Sequence, residues 1–442
     1  MSSPAPATVT DRPDRALWAH YAQGIWFQLI IFAIGCLIVF SRRPDALLNA
    51  QFYAEDGSLF YRDAYQSGLH SLLMTYSGYF HILLRLTALL ARLFPFAWAP
   101  LVMTTVAITF QVLPVNLFFS SRFSQISFPI RMLAGFIYLA LPNSFEIDAN
   151  LTNMHWHLGL LACLLVLAKP PTTRAWKMFD AVVLVLTSIS SPLGALLLPV
   201  AAGVWWKRAD TSSVVSFAFL LPGAAMQTIS VLLHWGARQV PHYGFTGQAV
   251  FNVGPNGANI HYFAAIMGRQ VFLSALLGLN TQKWILLLHH VSAVEVLSTL
   301  VGLALLLYAL RYAPTELKLF ILFAGAALTL ALLNPLAGSP DHSQWYWLST
   351  PACGNRYYFL LMIAFLATLI WVASRRAAPR VLRSFALTLL LLLPVGIYRD
   401  WRYPPFLDFR FEKFATAFER APSGSEFIIP INPGWLMELT KR

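Results

Sequence analysis

The sequence predicts an all-α polytopic membrane protein, and composition and hydropathy are the two observations behind this prediction. Of its 442 residues, 57% are hydrophobic and 11% are charged, proportions outside those of water-soluble domains. Apolar segments long enough to cross a hydrocarbon core of about 30 Å recur along most of the chain. We therefore expect one transmembrane domain over residues 1–398 and a small external tail over residues 399–442.

The order of the apolar segments predicts on which side of the membrane each connection lies. Eleven segments are expected to cross the membrane: 24–40, 97–119, 128–142, 155–168, 178–190, 192–206, 213–234, 290–310, 317–334, 357–374 and 383–398. With a retained signal anchor first and the N-terminus inside, the clusters of Lys and Arg fall on cytoplasmic connections. Topology thus explains most of the net charge of +12, and no nucleic-acid partner is expected. Two long connections, 41–96 and 235–289, remain outside.

The segment from Gly78 to Phe94 is expected not to cross, because counting it would place the basic clusters outside. His81, Arg85 and Arg92 recur on one helical face while leucines cover the rest. This pattern is typical of an interfacial helix on the outer surface. Arg85 is then a candidate contact for an anionic headgroup.

An acidic pair, Glu55-Asp56, follows the first apolar segment within the stretch Tyr53 to Phe60. A carboxylate held at the membrane interface can act as a general base with a raised pKa. Adjacent helical residues point about 100° apart, so one carboxylate is expected to face the reacting group, and we assign that role to Asp56. The alternative is an acidic helix cap in a solvated loop.

A polar stretch from Leu141 to His157 lies on the same predicted side as Asp56. If it is helical, four polar side chains share one face: Glu146, Asn150, Asn153 and His157. Such a face either serves a site or lines an interhelical hydrogen-bond network. A divalent cation held by Asp56, Glu146 and either His155 or His157 also stays open, although no tight ligand spacing supports it.

Arginines near the predicted outer ends of helices are the candidates for phosphate binding. Arg356, in Gly354-Asn355-Arg356-Tyr357, stands at the mouth of the tenth expected crossing, where its fork can hold a phosphate bidentately. The alternative is an interfacial arginine that snorkels beside an aromatic belt. Arg269, in the second long outer connection, is a further candidate.

This arrangement resembles the GT-C superfamily of multispanning glycosyltransferases, which use polyprenyl-phosphate-linked sugars. Glu55-Asp56 match the acidic motif of its first outer loop, and Glu146 falls where many members have a second acidic residue. Four stretches are similar to those of a bacterial group within the superfamily: Ala54-Glu55-Asp56-Gly57, Leu151-Thr152-Asn153-Met154-His155-Trp156, Gly354-Asn355-Arg356-Tyr357 and Ile431-Asn432-Pro433-Gly434-Trp435. The sequence lacks Trp-Trp-Asp-Tyr-Gly, which disfavours protein N-glycosylation.

The resemblance implies transfer of a sugar from a polyprenyl-phosphate donor to a lipid-linked glycan or envelope polysaccharide. The site would face the periplasm from the bacterial inner membrane, with inversion at the anomeric carbon. Asp56 would be the base and Arg356 would stabilise the departing phosphate. Substrate contacts would come from Asn153, His155, Trp156 and Tyr357. A transporter or flippase, and a polymerase or ligase, for lipid-linked glycans are the alternatives.

Overall fold

The computed structural model describes residues 24–234, 254–285 and 291–442, which are mostly helical. Among these residues, eight helices are long and apolar enough to cross a membrane. They are Ile25–Arg42, Phe96–Phe119, Thr211–Leu233, Ile260–Gln282, Ser292–Tyr312, Thr315–Leu333, Asn355–Ser374 and Arg380–Arg399. Shorter apolar helices accompany them. By helix length and hydropathy the chain is a multi-pass membrane protein.

The helices and strands follow one another with short connections. The first half contains α1 Ile25–Arg42, α2 Asp45–Leu48, α3 Arg62–Ser67, β1 Thr75–Tyr76, β2 Tyr79–Phe80, α4 Ile82–Ala91, α5 Ala99–Phe119, α6 Phe128–Leu139, α7 Met154–Leu167, α8 Arg174–Ser190, α9 Leu193–Arg208 and α10 Thr211–Leu233. The second half contains α11 Ile260–Ala264, α12 Ser274–Ile285, α13 Val291–Tyr312, α14 Thr315–Leu333, α15 Gln344–Ser349, α16 Asn355–Ser374, α17 Arg380–Arg399, α18 Phe411–Arg420, β3 Glu426–Ile431 and β4 Trp435–Thr440. Two π-helices, Asp56–Tyr61 and Ala265–Leu273, interrupt this series.

Each of the eleven expected segments corresponds to a helix, but four of these helices are short. The helices α6 to α9 have 12, 14, 17 and 16 residues. About 20 apolar residues are needed to span a bilayer without thinning it. The structure therefore supports fewer full-length spans than the sequence suggested.

The chain between residues 254 and 285 differs from the expected outer loop. It is largely helical, and its helix is one of the eight candidate spans. Hydropathy missed it because Arg269, Gln270 and Gln282 interrupt the apolar run, whereas in the fold these side chains are buried. Gly278, at φ 78°, breaks the helix, since only glycine adopts this conformation at little cost. The remainder of the expected loop lies outside the described residues.

The helix α4 turns its polar face into the protein. Arg85 is fully buried and its guanidinium pairs with the Asp63 carboxylate at 3.1 Å. Leu86, Leu90 and Leu93 are exposed instead. The carboxylate of Asp63 lies on the preceding segment and lowers the free energy of the buried guanidinium, which sequence periodicity does not indicate. The polar face of α4 is therefore engaged inside the protein, and its leucines point outward.

The tail after residue 399 folds back onto the first long connection. The Phe418 and Phe96 rings pack with centroids 4.9 Å apart, and β3 pairs with β4 in an antiparallel hairpin. The apolar run over residues 427–431 forms most of β3. The Asn432 carbonyl accepts a 2.6 Å hydrogen bond from the Ala54 N–H. The tail therefore supports the backbone directly before Glu55.

Candidate active site at the ends of the helices

Three of the four sequence stretches quoted above meet through direct hydrogen bonds, and Glu146 links them to the fourth. The Asp56 carboxylate binds the backbone of Leu151 and Thr152. Asn432 pairs with the backbone on both sides of Tyr53. Glu146, five residues before Leu151, forms an ion pair with Arg356. We call the group formed by Glu55, Asp56, Glu146 and Arg356 the acidic–arginine cluster.

Asp56 is the most constrained member of this cluster. It begins the π-helix Asp56–Tyr61 and is 4% exposed. Its carboxylate accepts hydrogen bonds from the Thr152 N–H and hydroxyl, both at 2.6 Å, and from the Leu151 N–H at 3.2 Å. Burial raises the pKa of Asp56 to about 7, and these hydrogen bonds oppose the rise by stabilising the ionised form. Asp56 thus ties the first long connection to the residues before α7.

Close packing holds the backbone around the acidic pair. A Cβ atom at Gly57 would lie 2.8 Å from the Phe52 Cβ, so no larger side chain fits there without movement. Ala54 adopts a φ of 47°, a region that residues other than glycine rarely occupy. Such strained conformations concentrate at functional sites, where the surrounding structure enforces them.

Glu55 is more accessible than Asp56 and has fewer hydrogen bonds. Its side chain is half-buried, and its Oε1 atom accepts a 2.8 Å hydrogen bond from the Tyr76 hydroxyl. Burial raises the pKa of Tyr76 well above its usual value, with the neighbouring Glu55 charge as the next cause. The Tyr76 phenol therefore stays protonated and donates to Glu55.

A small hairpin positions Tyr76 and its partner Tyr79. Strands β1 and β2 are joined by Ser77 and Gly78, both at positive φ, which is the geometry of a type I′ turn. The Gln227 side chain of α10 accepts from the Phe80 N–H and donates to the Phe80 carbonyl, each at 2.9 Å. These paired bonds fix the hairpin against α10. Sequence periodicity alone gives no indication of this contact.

The stretch that precedes α7 is not the helical polar stripe that the sequence suggested. Residues 143–153 form turns, with positive φ at Asn143 and Ala149, and helix begins only at Met154. Asn150 and Asn153 donate to the Glu146 carbonyl, at 2.8 and 2.9 Å. The amide of Asn153 therefore supports the turn that presents Glu146 instead of pointing outward.

Asp148 forms the core of the same turn region and is 4% exposed. The Gln111 amide donates to it at 2.8 Å and the Ser144 hydroxyl at 2.9 Å. The Arg42 guanidinium lies 3.5 Å away, and the Tyr403 hydroxyl also donates to the carboxylate. These partners come from α1, α5 and the tail, so Asp148 fixes the turn to three separate elements.

Arg356 stands in the first turn of α16, just after Gly354 at φ 70°. Its Nη1 contacts Glu146 Oε1, and its backbone N–H donates to Glu146 Oε2 at 3.2 Å. Nη2 donates to the Leu336 carbonyl at 2.6 Å and to the Tyr357 hydroxyl at 3.2 Å. The side chain remains 27% exposed, so the guanidinium is oriented by its neighbours and still reachable.

The other predicted phosphate ligands lie in different ion pairs. The Arg269 guanidinium is 2.6 Å from Glu295 and also contacts the Ser349 carbonyl. Arg85 pairs with Asp63. Both are buried in helix packing, and the structure does not bring either guanidinium to that of Arg356.

The predicted substrate residues His155, Trp156 and Tyr357 form a row of rings beside the cluster. The His155 and Trp156 centroids are 5.4 Å apart, and those of Trp156 and Tyr357 are 6.0 Å apart. Tyr79, which was not among the residues predicted from the sequence, stacks on His81 with ring centroids 4.2 Å apart. The aromatic spacing in Tyr76-Ser77-Gly78-Tyr79 was the available indication of a hairpin here.

No group of three or more His, Cys, Asp or Glu side chains that could hold a metal ion occurs within 24–234, 254–285 and 291–442. His157 is used elsewhere, since its ring contacts the Tyr138 hydroxyl at 2.8 Å and the Ile147 carbonyl at 3.1 Å. The ligand set considered from the sequence, with Asp56, Glu146 and a histidine, does not converge.

Comparisons with known proteins give structural similarity and no sequence match. No family model matches the chain, and no curated protein matches it at a significant level. The structure is distantly similar to the oligosaccharyltransferase of Archaeoglobus fulgidus in its apo form, with 13% identity, a TM-score of 0.39, and coverage of 90% of this chain and 59% of that one. The same enzyme tethered to an acceptor peptide with the NVT sequon gives 13% identity, a TM-score of 0.41, and coverage of 91% and 58%. The chain thus spans about three fifths of that enzyme's length, and the similarity carries no information about activity.

Proposed function

We propose that this chain is an inverting glycosyltransferase that takes its sugar from a polyprenyl-phosphate donor at the periplasmic face of the bacterial inner membrane. The acceptor is a lipid-linked glycan or an envelope polysaccharide. The observation that carries the proposal is the acidic–arginine cluster, in which an oriented, accessible guanidinium stands in the same cluster as an accessible carboxylate. Donor phosphate and acceptor hydroxyl need these two groups.

The location of the cluster suits a lipid-borne substrate. Arg356 begins the candidate span Asn355–Ser374, and Glu55 follows the end of the candidate span Ile25–Arg42. A headgroup whose polyprenyl chain lies in the bilayer would reach the protein at this depth. We propose that the eleven expected crossings are retained, and that residues 254–285 enter and leave on the side of the site. In support, Asn256 contacts the end of α14 at Leu332, and Asn280 contacts Asp400 after α17.

Arg356 is proposed to bind the donor phosphate. Three of its N–H groups are engaged by Glu146, Leu336 and Tyr357, and a guanidinium has five. The remaining N–H groups and the positive charge would stabilise the phosphate as negative charge develops on it. Glu146 would hold the fork in this orientation, since its two oxygens contact both the side chain and the backbone of Arg356.

Glu55 is proposed as the base, which revises the assignment made within the acidic pair from the sequence. A base must reach the acceptor hydroxyl, and geometry takes precedence over pKa in choosing it. Glu55 is half-buried with one hydrogen-bond donor, whereas three donors occupy the buried carboxylate of Asp56. Asp56 would then position the turn that carries Glu146, and its pKa of about 7 would make it the second candidate for the base.

The reaction would be a single displacement. The acceptor oxygen forms a bond to the anomeric carbon, and its proton passes to Glu55. The bond between that carbon and the phosphate oxygen breaks, and polyprenyl phosphate departs with the electron pair, next to Arg356. The configuration at the anomeric carbon is inverted, because attack and departure occur on opposite faces.

Deletion of the gene and comparison of glycans by mass spectrometry test the proposal. We expect one sugar to disappear from a lipid-linked glycan or envelope polysaccharide while its polyprenyl-phosphate form accumulates. Wild-type chain should restore the sugar and an inserted Arg356→Ala chain should not. Unchanged glycans, or accumulation of a complete lipid-linked glycan, would contradict a transferase and favour a transporter or polymerase.

A further inference from the structure

Five rings line one side of the acidic–arginine cluster: Tyr79, His81, His155, Trp156 and Tyr357. Their centroid distances form a continuous row, with Tyr79 to His81 at 4.2 Å, His81 to His155 at 6.1 Å, His155 to Trp156 at 5.4 Å and Trp156 to Tyr357 at 6.0 Å. The planes of successive rings differ by 29°, 90°, 37° and 77°, so the row offers both faces and edges.

Two polar atoms of this row are buried without a hydrogen-bond partner among the described residues. They are Trp156 Nε1 and His81 Nδ1, on side chains that are 7% and 2% exposed. A buried donor or acceptor without a partner costs about 1–3 kcal/mol, so such atoms in a native structure call for an explanation. A bound ligand that forms hydrogen bonds with these two atoms would explain them.

His155 adds an acceptor to the row. Its Nδ1 lies 3.0 Å from the Thr152 carbonyl, which can only accept a hydrogen bond. Nδ1 must therefore carry the proton in this contact, and Nε2 keeps its lone pair. With the Trp156 indole N–H as a donor, the row presents both kinds of hydrogen-bonding group between aromatic surfaces.

We propose that the row formed by Tyr79, His81, His155, Trp156 and Tyr357 binds the ring of a sugar that carries no carboxylate. This inference rests on the proposed function and specifies the substrate class of the same site. The C–H bonds of a sugar ring pack on the negative faces of aromatic rings, and its hydroxyl groups both donate and accept hydrogen bonds. Trp156 Nε1 and His81 Nδ1 each contact one hydroxyl group.

The charges around the row exclude sugars that carry a carboxylate. The guanidinium of Arg356 lies 4.5 Å from the centroid of the Tyr357 ring. It is already paired with Glu146 and is proposed to bind the donor phosphate. Burial, with His155 and Arg85 nearby, lowers the pKa of His81 well below its usual value and keeps the ring neutral. Tyr79 also lies within range of the Glu55 charge, which repels a second carboxylate. Arg85 is already paired with Asp63, so an anionic sugar would be buried without a cation of its own.

Binding of defined carrier lipids tests the inference on the full chain in nanodiscs by native mass spectrometry. The probes are short polyprenyl phosphates that carry glucose, mannose, arabinose, glucuronic acid, glucosamine or no sugar. We expect at least one neutral carrier to bind about tenfold or more tightly than the bare phosphate. Trp156→Phe keeps an aromatic ring but removes the N–H, and should reduce this preference about tenfold without changing affinity for the bare phosphate.

A second variant in the row and a control variant outside it complete the experiment. His81→Phe should reduce the same preference, whereas Trp98→Phe, at a residue that is 58% exposed, should leave it at the wild-type value. If Trp156→Phe and His81→Phe leave the preference unchanged, or if the glucuronic acid carrier binds more tightly than every carrier without a carboxylate, the sugar subsite is overturned. Binding of the bare phosphate would still uphold the proposed function. If no polyprenyl phosphate binds to wild type, the proposed function fails together with the inference.

Discussion

Asp56 accepts two hydrogen bonds from Thr152, one from the backbone N–H and one from the hydroxyl, each at 2.6 Å. Through them the loop after α1 is joined to the turn before α7, almost one hundred residues later in the chain. The same turn presents Glu146 to Arg356. Asp56 therefore supports the geometry around Arg356 even if it never touches a substrate.

Stability should depend on pH through Asp56. Its pKa in the folded chain is about 7, against an ordinary value of 3.8. Between these values the unfolded carboxyl is ionised while the folded one is protonated, so unfolding releases a proton and stability falls as pH rises. The loss is complete about one pH unit above the folded pKa, and over the whole range it amounts to roughly 4 kcal/mol.

Thermal unfolding in detergent, followed from about pH 5 to about pH 8 in wild type and Asp56→Asn, measures this effect. Subtracting the stability of the variant from that of wild type at each pH removes the contribution of the other carboxylates. The stability of wild type relative to the variant should decrease with rising pH and level off above about 7. A difference that is constant, or that grows with pH, would mean that burial does not dominate the ionisation of Asp56.

Arg42 should be essential for stability. It is 1% exposed, and its guanidinium donates to the Leu139 carbonyl at 2.6 Å and the Leu141 carbonyl at 2.8 Å, beside Asp148. Arg42→Ala leaves a buried carboxylate without its cation, which typically costs about 3–5 kcal/mol. Chemical denaturation should show this loss, and Arg376→Ala, at an exposed arginine, should stay near wild type. Equal stability of the two variants would contradict the role given to Arg42.

Arg356 should be required for donor binding by the shape of its fork as well as by its charge. Arg356→Lys keeps the charge but loses the planar arrangement of donors, so it should bind a polyprenyl-phosphate donor with intermediate affinity. Arg356→Ala should bind it most weakly. The order of the three affinities is measured by binding the donor to each protein in nanodiscs, with wild type as the reference. Wild-type affinity in Arg356→Ala would remove this residue from the mechanism and favour an arginine that merely snorkels.

The topology prediction places residues 41–96 and the tail after 399 outside. A single cysteine at Ser423, which is exposed in the tail, should react with a membrane-impermeant maleimide in spheroplasts once the three native cysteines are replaced. A cysteine at exposed Thr172, between α7 and α8, should react only after permeabilisation. The reverse pattern would put the site on the cytoplasmic side and exclude the donor chemistry proposed.

Hydropathy predicted the helices well because membrane spans depend mainly on local composition. It missed the helical segment over 254–285, where Arg269 and Gln270 are compensated by partners about 80 residues away. It also gave no partner for the polar face of α4, since Asp63 pairs with Arg85 from a separate helix. Such compensation arises between distant residues, and one sequence contains no record of it.

In the candidate site, too, residue types could be recognised from the sequence, whereas contacts between distant residues could not. Glu55, Asp56, Glu146 and Arg356 were recognisable from their residue types and positions at helix ends. Their roles depend on contacts through space, such as the three donors around Asp56 and the phenol on Glu55. These contacts moved the proposed base from Asp56 to Glu55, a choice that adjacent positions in the chain could not decide.

The rate of polyprenyl phosphate release by purified Glu55→Gln is the most direct test of the proposed mechanism. The assay uses the donor and acceptor identified from the deletion strain, and donor binding is measured in parallel. Loss of a general base costs about 10²- to 10⁴-fold, so the variant should slow by that factor while it binds donor like wild type. A wild-type rate in Glu55→Gln, together with an inactive but equally stable Asp56→Asn, would contradict this account and assign the base to Asp56.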